Sequence, residues 1–331
     1  MIYYVSLYEN NCIATKYTLE KEKPNVRIPD TNSKGEQIVI IGAGCFAEKA
    51  IRTLYMNDDI TDIGRYACYG CRILVAVRPS PKLKRIHPYG FGNCYKLSYF
   101  PFENNLEEVG DYAFRSNTSM KRADLSKCSK LKRTGKGSFS DCESMKTALL
   151  PDGLEEISEY TFYKDVNFVD SPLPNTVSVI KAHAYDMTAL TSVTFPDSVQ
   201  KIEEYAYANN PFLSTVEFGS EVQFLGNYCF TNDTSLKKTI FNNKIRVIPK
   251  GCFKNCDITG TVEIPASTQR IERLAFANNK NMTIVTITNN VEFIDDIAFE
   301  GCDQIKIKAQ KGSYAHEYAK RLGITFINSK K

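Results

Sequence analysis

The hydrophobic positions of this chain recur about every 23 residues between residues 41 and 302. Each repeat contains an aliphatic residue, three variable residues, a small residue and then an aromatic residue. This regularity predicts a solenoid, in which each coil buries its hydrophobic side against its neighbours. The twelve aromatic positions, one of them occupied by cysteine, are Phe46, Cys68, Phe91, Phe114, Phe139, Phe162, Tyr185, Tyr207, Phe230, Phe253, Phe276 and Phe299.

A second phrase follows each aromatic position, and Leu190-x-x-Val193-x-Phe195 is its clearest copy. The alternation in this phrase predicts a short strand with one buried face. The segment around the aromatic residue is too short for a full helix and predicts a single helical or 3₁₀ turn. Proline, which lacks the N–H needed by a strand ladder, recurs just after the strand, at Pro151, Pro174, Pro196 and Pro265.

The combined pattern L-x-x-V-x-F-P-x-x-V-x-x-I-G-x-x-A-F-x-x-[N/C] resembles the BspA-like, or Treponema-type, leucine-rich repeat family from about residue 12 to residue 326. The resemblance implies a right-handed, curved repeat solenoid. It would carry a concave parallel β-sheet, with short strands or 3₁₀ turns on the convex side. Members are mostly bacterial or protozoan surface proteins that adhere to host proteins or to other cells. The glycines that match the pattern are Gly42, Gly64, Gly110, Gly135 and Gly226.

Three segments are expected along the chain: an N-terminal β cap at 1–40, about twelve repeats at 41–304, and a C-terminal strand-helix-strand cap at 305–331. The two end segments are similar to the caps of the family. The repeats depart from its pattern at a two-residue insertion near Cys128 and at Thr134, which occupies an aliphatic position.

Nine of the eleven cysteines fall at repeat positions that point into the coil, and only Cys12 and Cys128 fall outside them. Free cysteine behaves as a small buried hydrophobic residue, so these residues are expected to be reduced structural thiols. Disulfides Cys71–Cys94 and Cys229–Cys252 are the alternative, because adjacent coils lie within bonding reach. Zinc is disfavoured, since no paired C-x-x-C motif is present. Three asparagines share the inward cysteine position, where an amide would bridge adjacent coils: Asn117, Asn210 and Asn279.

The segment from Val39 to Ala47 imitates a dinucleotide-binding fingerprint, with Gly42 and Gly44 after an apolar strand. In such a site the glycines let a pyrophosphate approach the N-terminus of a helix. However, Ile41, Gly42 and Phe46 also fit the repeat, which continues far beyond this segment. The sequence therefore favours a repeat coil with no cofactor, and a nucleotide- or cofactor-binding enzyme is the alternative.

No catalytic constellation stands out. The chain has three histidines, His87, His183 and His316, and none has a serine or cysteine at the spacing of a nucleophilic motif. Paired acids such as Glu203-Glu204 recur at variable positions and indicate a solvated face. We therefore expect a protein that is not an enzyme.

Composition excludes several partner classes. The net charge of +4 is mild and spread along the chain, so it does not indicate nucleic-acid binding. No apolar run approaches the ~20 residues of a membrane span. The N-terminus lacks the basic start of a signal peptide, which together with reduced cysteines favours an intracellular location. The family resemblance instead favours the cell surface or secretion, and both locations stay open.

The remaining candidates are strand residues that point away from the core. Those of the first half are basic and aromatic, and both residue types are enriched at binding hot spots. A monomeric scaffold that binds a protein partner is the favoured function, and a self-associating structural module is the second alternative. Recurrent tyrosines two residues before the aromatic position are expected to form a stacked ladder rather than a binding platform. The expected partner-binding residues are Tyr55, Arg78, Tyr99 and Arg122.

Overall fold

The computed structural model describes residues 2–8, 11–18, 24–32 and 34–329. The chain forms two compact units, Met1–Pro174 and Asn175–Lys331. Within each unit the described chain is a parallel β-solenoid, as the repeat predicts. Most coils run through a strand on a first sheet face, a short strand on a second sheet face, and a turn that leads to the next coil.

The first unit begins with an antiparallel pair, β1 and β2, and its later strands pair in parallel. The first sheet face contains the sheets β3-β5-β7 and β10-β11, and the second contains β4-β6-β8-β9 continued by β2 and β1. The strands are β1 Ile2–Tyr8, β2 Asn11–Thr18, β3 Asn25–Arg27, β4 Ile38–Ile41, β5 Thr53–Tyr55, β6 Asp62–Ile63, β7 Ala76–Arg78, β8 Arg85–Ile86, β9 Glu108–Val109, β10 Arg122–Asp124, β11 Thr147–Leu149 and β12 Glu156–Ile157.

The second unit carries β14-β16-β18 and β20-β22-β24-β25 on its first face, and β13-β15-β17 and β19-β21-β23 on its second. One helix, α1, precedes the last strand, and the Ser313 side chain caps it by accepting the His316 N–H. The elements are β13 Val179–Ile180, β14 Ser192–Thr194, β15 Lys201–Ile202, β16 Thr215–Glu217, β17 Phe224–Leu225, β18 Lys238–Ile240, β19 Val247–Ile248, β20 Gly260–Glu263, β21 Arg270–Ile271, β22 Met282–Thr286, β23 Phe293–Ile294, β24 Lys306–Ala309, α1 Tyr314–Arg321 and β25 Thr325–Asn328.

Aromatic rings at the repeat position stack from coil to coil through the core. In the second unit Phe253 lies 5.5 Å from Phe230 and 5.4 Å from Phe276 between ring centroids, with nearly parallel planes. The amide of Asn279 bridges coils as expected: it accepts the Ile258 N–H and donates to the carbonyl of Phe253. Each coil is thus held mainly by its two neighbours.

The turn around the aromatic residue is tight but not helical, which corrects the expectation of a helical or 3₁₀ turn. Residues two before and two after the aromatic position have positive φ, for example Tyr89 at 56° and Asn93 at 58°. The N–H groups of Tyr89, Phe91 and Asn93 therefore point forward and donate to carbonyls of the next coil at 2.8–2.9 Å. Bonding between coils, rather than within a helix, satisfies these donors.

Two carboxylic acids occupy the inward asparagine position and are fully buried, Asp165 in the first unit and Asp233 in the second. Oδ1 of Asp233 accepts the Asn210 N–H at 2.8 Å, whereas Oδ2 has no hydrogen-bond partner within the described chain. Burial raises the pKa of Asp233 well above its usual value, against a smaller lowering by the Asn210 N–H. Burial therefore favours the neutral form of this acid.

Ten cysteines are free and buried, while the side chain of Cys12 lies outside the described residues. Cys128 falls outside the inward repeat positions but is nevertheless buried. The inserted segment folds inward, and Leu125, Cys128 and Leu131 are all buried. The sulfurs of Cys229 and Cys252 lie 3.3 Å apart as a contact between two thiols. Burial raises the pKa of the Cys128 thiol to about 12 and of the Cys302 thiol to about 11.

The Phe253→Ala substitution should destabilise the protein by about 3–5 kcal/mol, because it removes a fully buried ring. The loss should spread first to the coils of Phe230 and Phe276, since coupling in a solenoid runs through nearest neighbours. Hydrogen exchange of backbone amides measures this gradient. Uniform loosening along the second unit would contradict the prediction.

The Asp233→Asn substitution should stabilise the protein at pH 8 but not at pH 4. Folding raises the pKa of Asp233. The contribution of this acid to folding stability is therefore complete below its unfolded-state pKa, and it is lost as pH rises towards the folded-state pKa. Denaturant unfolding at both pH values measures the difference. The control is Asp303→Asn at an exposed position. Equal stability of Asp233→Asn and the native protein at pH 8 would show that folding does not raise the pKa of Asp233.

A thiol reagent should label at most one cysteine rapidly in the native protein, because ten of the eleven are buried and the reagent cannot reach their sulfurs. This includes Cys71, whose pKa is lowered to about 5 by hydrogen bonds with Cys68 and Cys94 but whose side chain is fully buried. All eleven should react after denaturation without reductant. Mass spectrometry counts the labels. Two or more fast thiols, or fewer than eleven after denaturation, would refute the picture of buried, reduced cysteines.

Candidate protein-interaction surface

Two outward rows of side chains run along the first sheet face of the first unit. Strands β5 and β7 pair in parallel with Leu54 opposite Val77, and both of these residues are buried. The residues on either side of them point outward because side chains alternate along a strand. The first row therefore contains the residue before the buried one, and the second row contains the residue after it.

Tyr55 and Arg78 are register partners in the second row, so the structure brings these two predicted residues together. Tyr55 is 40% exposed. The Arg78 guanidinium lies 3.1 Å from a carboxylate oxygen of Asp58, and both side chains are exposed. The repeat pattern does not identify Asp58 as a partner of Arg78, although Asp58 precedes Arg78 by nearly one coil length.

Tyr99 and Arg122 lie in the first row, before the buried residues of their coils. Arg122 begins β10, and its guanidinium contacts Asp124 of the same strand at 2.8 Å. Tyr99 is 49% exposed. A hydrogen bond from the Lys121 N–H to the Ser98 carbonyl, at 3.2 Å, connects the coils that carry Tyr99 and Arg122. Hydrogen bonds from Ser126 lower the pKa of Asp124 most, and its pairing with Arg122 adds to this effect.

The four predicted residues thus lie on one face as two pairs, Tyr55 with Arg78 and Tyr99 with Arg122. No ladder bond joins β7 to the coil of Tyr99 within the described chain, and Pro101 has no N–H to give one. The two pairs therefore lie on either side of a break in the strand ladder.

The recurrent tyrosines form the expected stacked ladder on the turn side. Tyr66 and Tyr89 stack with centroids 4.9 Å apart, and Tyr112 continues the stack at 5.0 Å. All three are half-buried. Gly137 follows at the same repeat position, and a Cβ there would meet the Tyr112 ring at 2.4 Å. The ladder is consequently packed against its own chain.

The segment Gly42–Gly44 leads into a turn and not into a helix. The N–H groups that a pyrophosphate would need already donate to carbonyls of the next coil. The Gly44 N–H donates to the Arg65 carbonyl at 2.9 Å, and the Phe46 N–H donates to the Ala67 carbonyl at 2.6 Å. The geometry of a dinucleotide site is therefore missing at this segment, which matches its place in the repeat.

A buried acid, Asp62, lies on the second face of the first unit. Burial alone would raise its pKa, but hydrogen bonds from His87, Thr61 and Arg85 outweigh burial and hold the pKa at about 2. The same contact with Asp62 raises the pKa of His87. His87 is thus paired with a buried acid, and no nucleophile is part of this cluster.

Elsewhere in the described residues, no group of three histidine, cysteine or acidic side chains is placed to hold a metal ion. None of the helices found in this part of the chain has the length and hydrophobicity that a membrane span requires. Two further grooves open on the second unit. One has a volume of about 760 Å³ beside α1, and the other, of about 630 Å³, lies on the first sheet face between β18 and β20.

Known structures resemble this chain over nearly its whole length. A leucine-rich repeat protein from Bacteroides ovatus matches with a TM-score of 0.64 and 18% identity, covering 99% of this chain and 98% of the other. A leucine rich cell surface protein from Faecalibacterium prausnitzii matches with a TM-score of 0.56 and 21% identity, covering 99% and 97%. The pneumococcal vaccine antigen PcpA matches with a TM-score of 0.55 and 13% identity, also covering 99% and 97%. At these identities the likeness shows the fold alone.

No curated protein sequence matches this chain significantly. The sequence model of the BspA type leucine rich repeat region, which spans six copies, matches residues 39–169, 155–283 and 248–319. These overlapping matches cover most of the chain, including the repeats that form both units. The chain therefore belongs to the BspA-type leucine-rich repeat family.

Proposed function

We propose that this protein is a non-enzymatic repeat scaffold that binds a protein partner through the first sheet face of its first unit. The observation that carries the proposal is the pair of exposed tyrosines, Tyr55 and Tyr99, each next to an arginine on an ordered sheet face. A rigid sheet presents these side chains with little ordering cost, so a modest number of contacts gives useful affinity.

The arginines suit a carboxylate in the partner. The pairs Arg78–Asp58 and Arg122–Asp124 are exposed, and surface ion pairs of this kind contribute only about 0–1 kcal/mol. The carboxylates of these pairs orient the guanidinium groups. They do not neutralise the whole face, because three more exposed basic residues lie along it, Arg52, Lys121 and Lys146. An acidic or aromatic segment of a partner protein fits this combination of charge and ring area.

We further propose that binding occurs at the cell surface, as adhesion. The proposal is supported by the Faecalibacterium protein, which is described as a cell surface protein and has the same fold. Labelling of intact source cells with a membrane-impermeant amine reagent tests this setting. Labelling seen only after lysis would refute surface display and would leave the protein-binding proposal intact.

The two alternatives are tested separately. A thermal-shift screen with nucleotides addresses cofactor binding, for which the occupied N–H groups of Gly44 and Phe46 offer no site. Size-exclusion chromatography over a concentration series addresses self-association.

For a partner obtained by affinity capture, Tyr99→Ala combined with Arg122→Ala should weaken binding at least tenfold, equivalent to about 1.4 kcal/mol. The melting temperature should change little, because both side chains are exposed. Titration calorimetry measures the affinity. The matched control is Thr194→Ala with Glu217→Ala, at exposed positions on the first sheet face of the second unit. Unchanged affinity in the first variant, or a loss only in the control, would place the site elsewhere.

A further inference from the structure

One stretch of the second unit is almost free of acidic side chains. Between Glu221 and Asp257 the chain contains six basic residues and a single acid, Asp233. Asp233 is fully buried, and burial favours its neutral form. This stretch therefore carries more positive charge than the net +4 of the whole chain. Its basic residues are Lys237, Lys238, Lys244, Arg246, Lys250 and Lys254.

Four cations from two successive coils lie together along the second sheet face, and we call them the basic patch. Arg246 directly precedes β19, and Arg270 begins β21. The Arg270 N–H donates to the Arg246 carbonyl at 3.3 Å, so these two residues are neighbours. Lys250 and Arg273 follow the same two strands, and the Gly251 N–H donates to the Arg273 carbonyl at 3.0 Å. The basic patch thus consists of one pair of cations at the start of the strands and a second pair beyond their ends.

Most of the charge of the basic patch is not neutralised by described residues. All four side chains are exposed. The Arg270 Nε atom lies 3.6 Å from a carboxylate oxygen of Glu272, whereas Arg246, Lys250 and Arg273 form no ion pair with a described residue. Charges of one sign that are held together on a surface repel one another and attract anions from solution. The basic patch is therefore a surface for an anionic ligand.

The surroundings of the two cation pairs are flat and carry amides. The position that Glu272 occupies in its coil is held by Gly226 and Pro249 in the two preceding coils, so neither contributes an acid or a long side chain. Gln223 and Gln269 are exposed on the coils to either side of Arg246. Side-chain amides both donate and accept hydrogen bonds. The surface therefore combines cations for anionic groups with amides for hydroxyl groups.

Acidic residues bound the basic patch on both sides along the axis of the coils. Glu204 occupies the position of Lys250 two coils earlier, and Asp296 occupies it two coils later. A long polyanion that followed this axis would meet like charge at both ends. A chain that lies parallel to the strands avoids both acids. From Arg246 to Lys250 it spans about 13 Å, since each extended residue advances about 3.3 Å.

The chemistry of the surface favours a polysaccharide over other polyanions. Single-stranded nucleic acid binds through bases that stack on free aromatic rings. Here the Lys201 ammonium lies over the Phe224 ring at 5.0 Å, and the Arg270 guanidinium lies over the Phe293 ring at 4.4 Å. A protein partner gains most of its affinity from apolar anchors in packed pockets, and the flat surface around Pro249 offers none. An anionic polysaccharide needs only the cations and the amides.

We propose that the basic patch binds an anionic polysaccharide. The polysaccharide lies parallel to the strands, its sulfate or carboxylate groups contact the two pairs of cations, and its hydroxyl groups bond to the neighbouring amides. This site lies on the second sheet face of the second unit, so it is independent of the surface around Tyr55 and Tyr99.

The test uses the full chain and a short heparin fragment as the anionic probe. A variant that removes three cations of the basic patch should bind the probe at least tenfold more weakly and with a smaller dependence on salt, because fewer counterions are released. Titration calorimetry at two salt concentrations measures both effects, and circular dichroism verifies that the variant folds. The substitutions are Arg246→Gln, Lys250→Gln and Arg273→Gln.

A matched control removes the same charge from exposed positions of the first unit and should change the affinity by less than about twofold. Its substitutions are Arg72→Gln, Lys96→Gln and Lys127→Gln. Tyr99→Ala combined with Arg122→Ala should also leave binding of the probe unchanged, so that failure of this site and failure of the proposed protein-binding surface are seen separately.

Competition separates a polysaccharide from other polyanions. An oligonucleotide and a glutamate peptide of the same charge as the probe should displace it at least tenfold less effectively. Equal displacement by either competitor would assign the basic patch to another class of partner and overturn the proposal. So would an absence of probe binding to the native protein, or an equal loss of affinity in the basic-patch variant and in the matched control.

Discussion

The hydrogen bonds and ring stacks between successive coils are the interactions on which the rest of this structure depends. A single coil cannot bury its hydrophobic side, so Phe253 needs Phe230 on one side and Phe276 on the other. Backbone donors such as the Phe91 N–H are likewise satisfied only by the next coil. Inward positions are therefore tightly constrained, and only outward positions are available for function.

This constraint explains why the fold could be predicted from the sequence. The 23-residue period identifies the inward positions directly, and a stack of such coils has few arrangements. The same constraint explains why the turn around the aromatic residue differs from the helical or 3₁₀ turn that the sequence predicts. Locally, the segment around Phe91 is compatible with a helical turn, but the bonds to the next coil impose positive φ at Tyr89 and Asn93. The sequence does contain an indication of positive φ, because asparagine and glycine adopt it most readily. One of the two recurs two residues after the aromatic position, at Asn93, Asn209, Asn232, Asn255, Asn278 and Gly301.

The candidate surface could be predicted only in part. Period-two alternation correctly placed Tyr55 and Arg78 next to each other, because strand register follows from coil length. The ion pairs could not be anticipated in the same way, since the partner of Arg78 comes from a corner of the preceding coil and that of Arg122 from its own strand. Which outward groups are free for a ligand depends on such side-chain contacts, which the repeat does not specify.

Departures from the repeat have two different physical outcomes in this chain. The insertion near Cys128 adds side chains that turn inward, so the core absorbs it and Cys128 is fully buried. The register shift between β20 and β22 instead places one extra residue, Thr283, on β22, and its side chain is exposed. Thr283 therefore adds nothing to the core, and the buried row continues at Val285. In a protein whose coils otherwise satisfy one another, an extra residue is accommodated either by turning its side chain into the core or by turning it out to solvent.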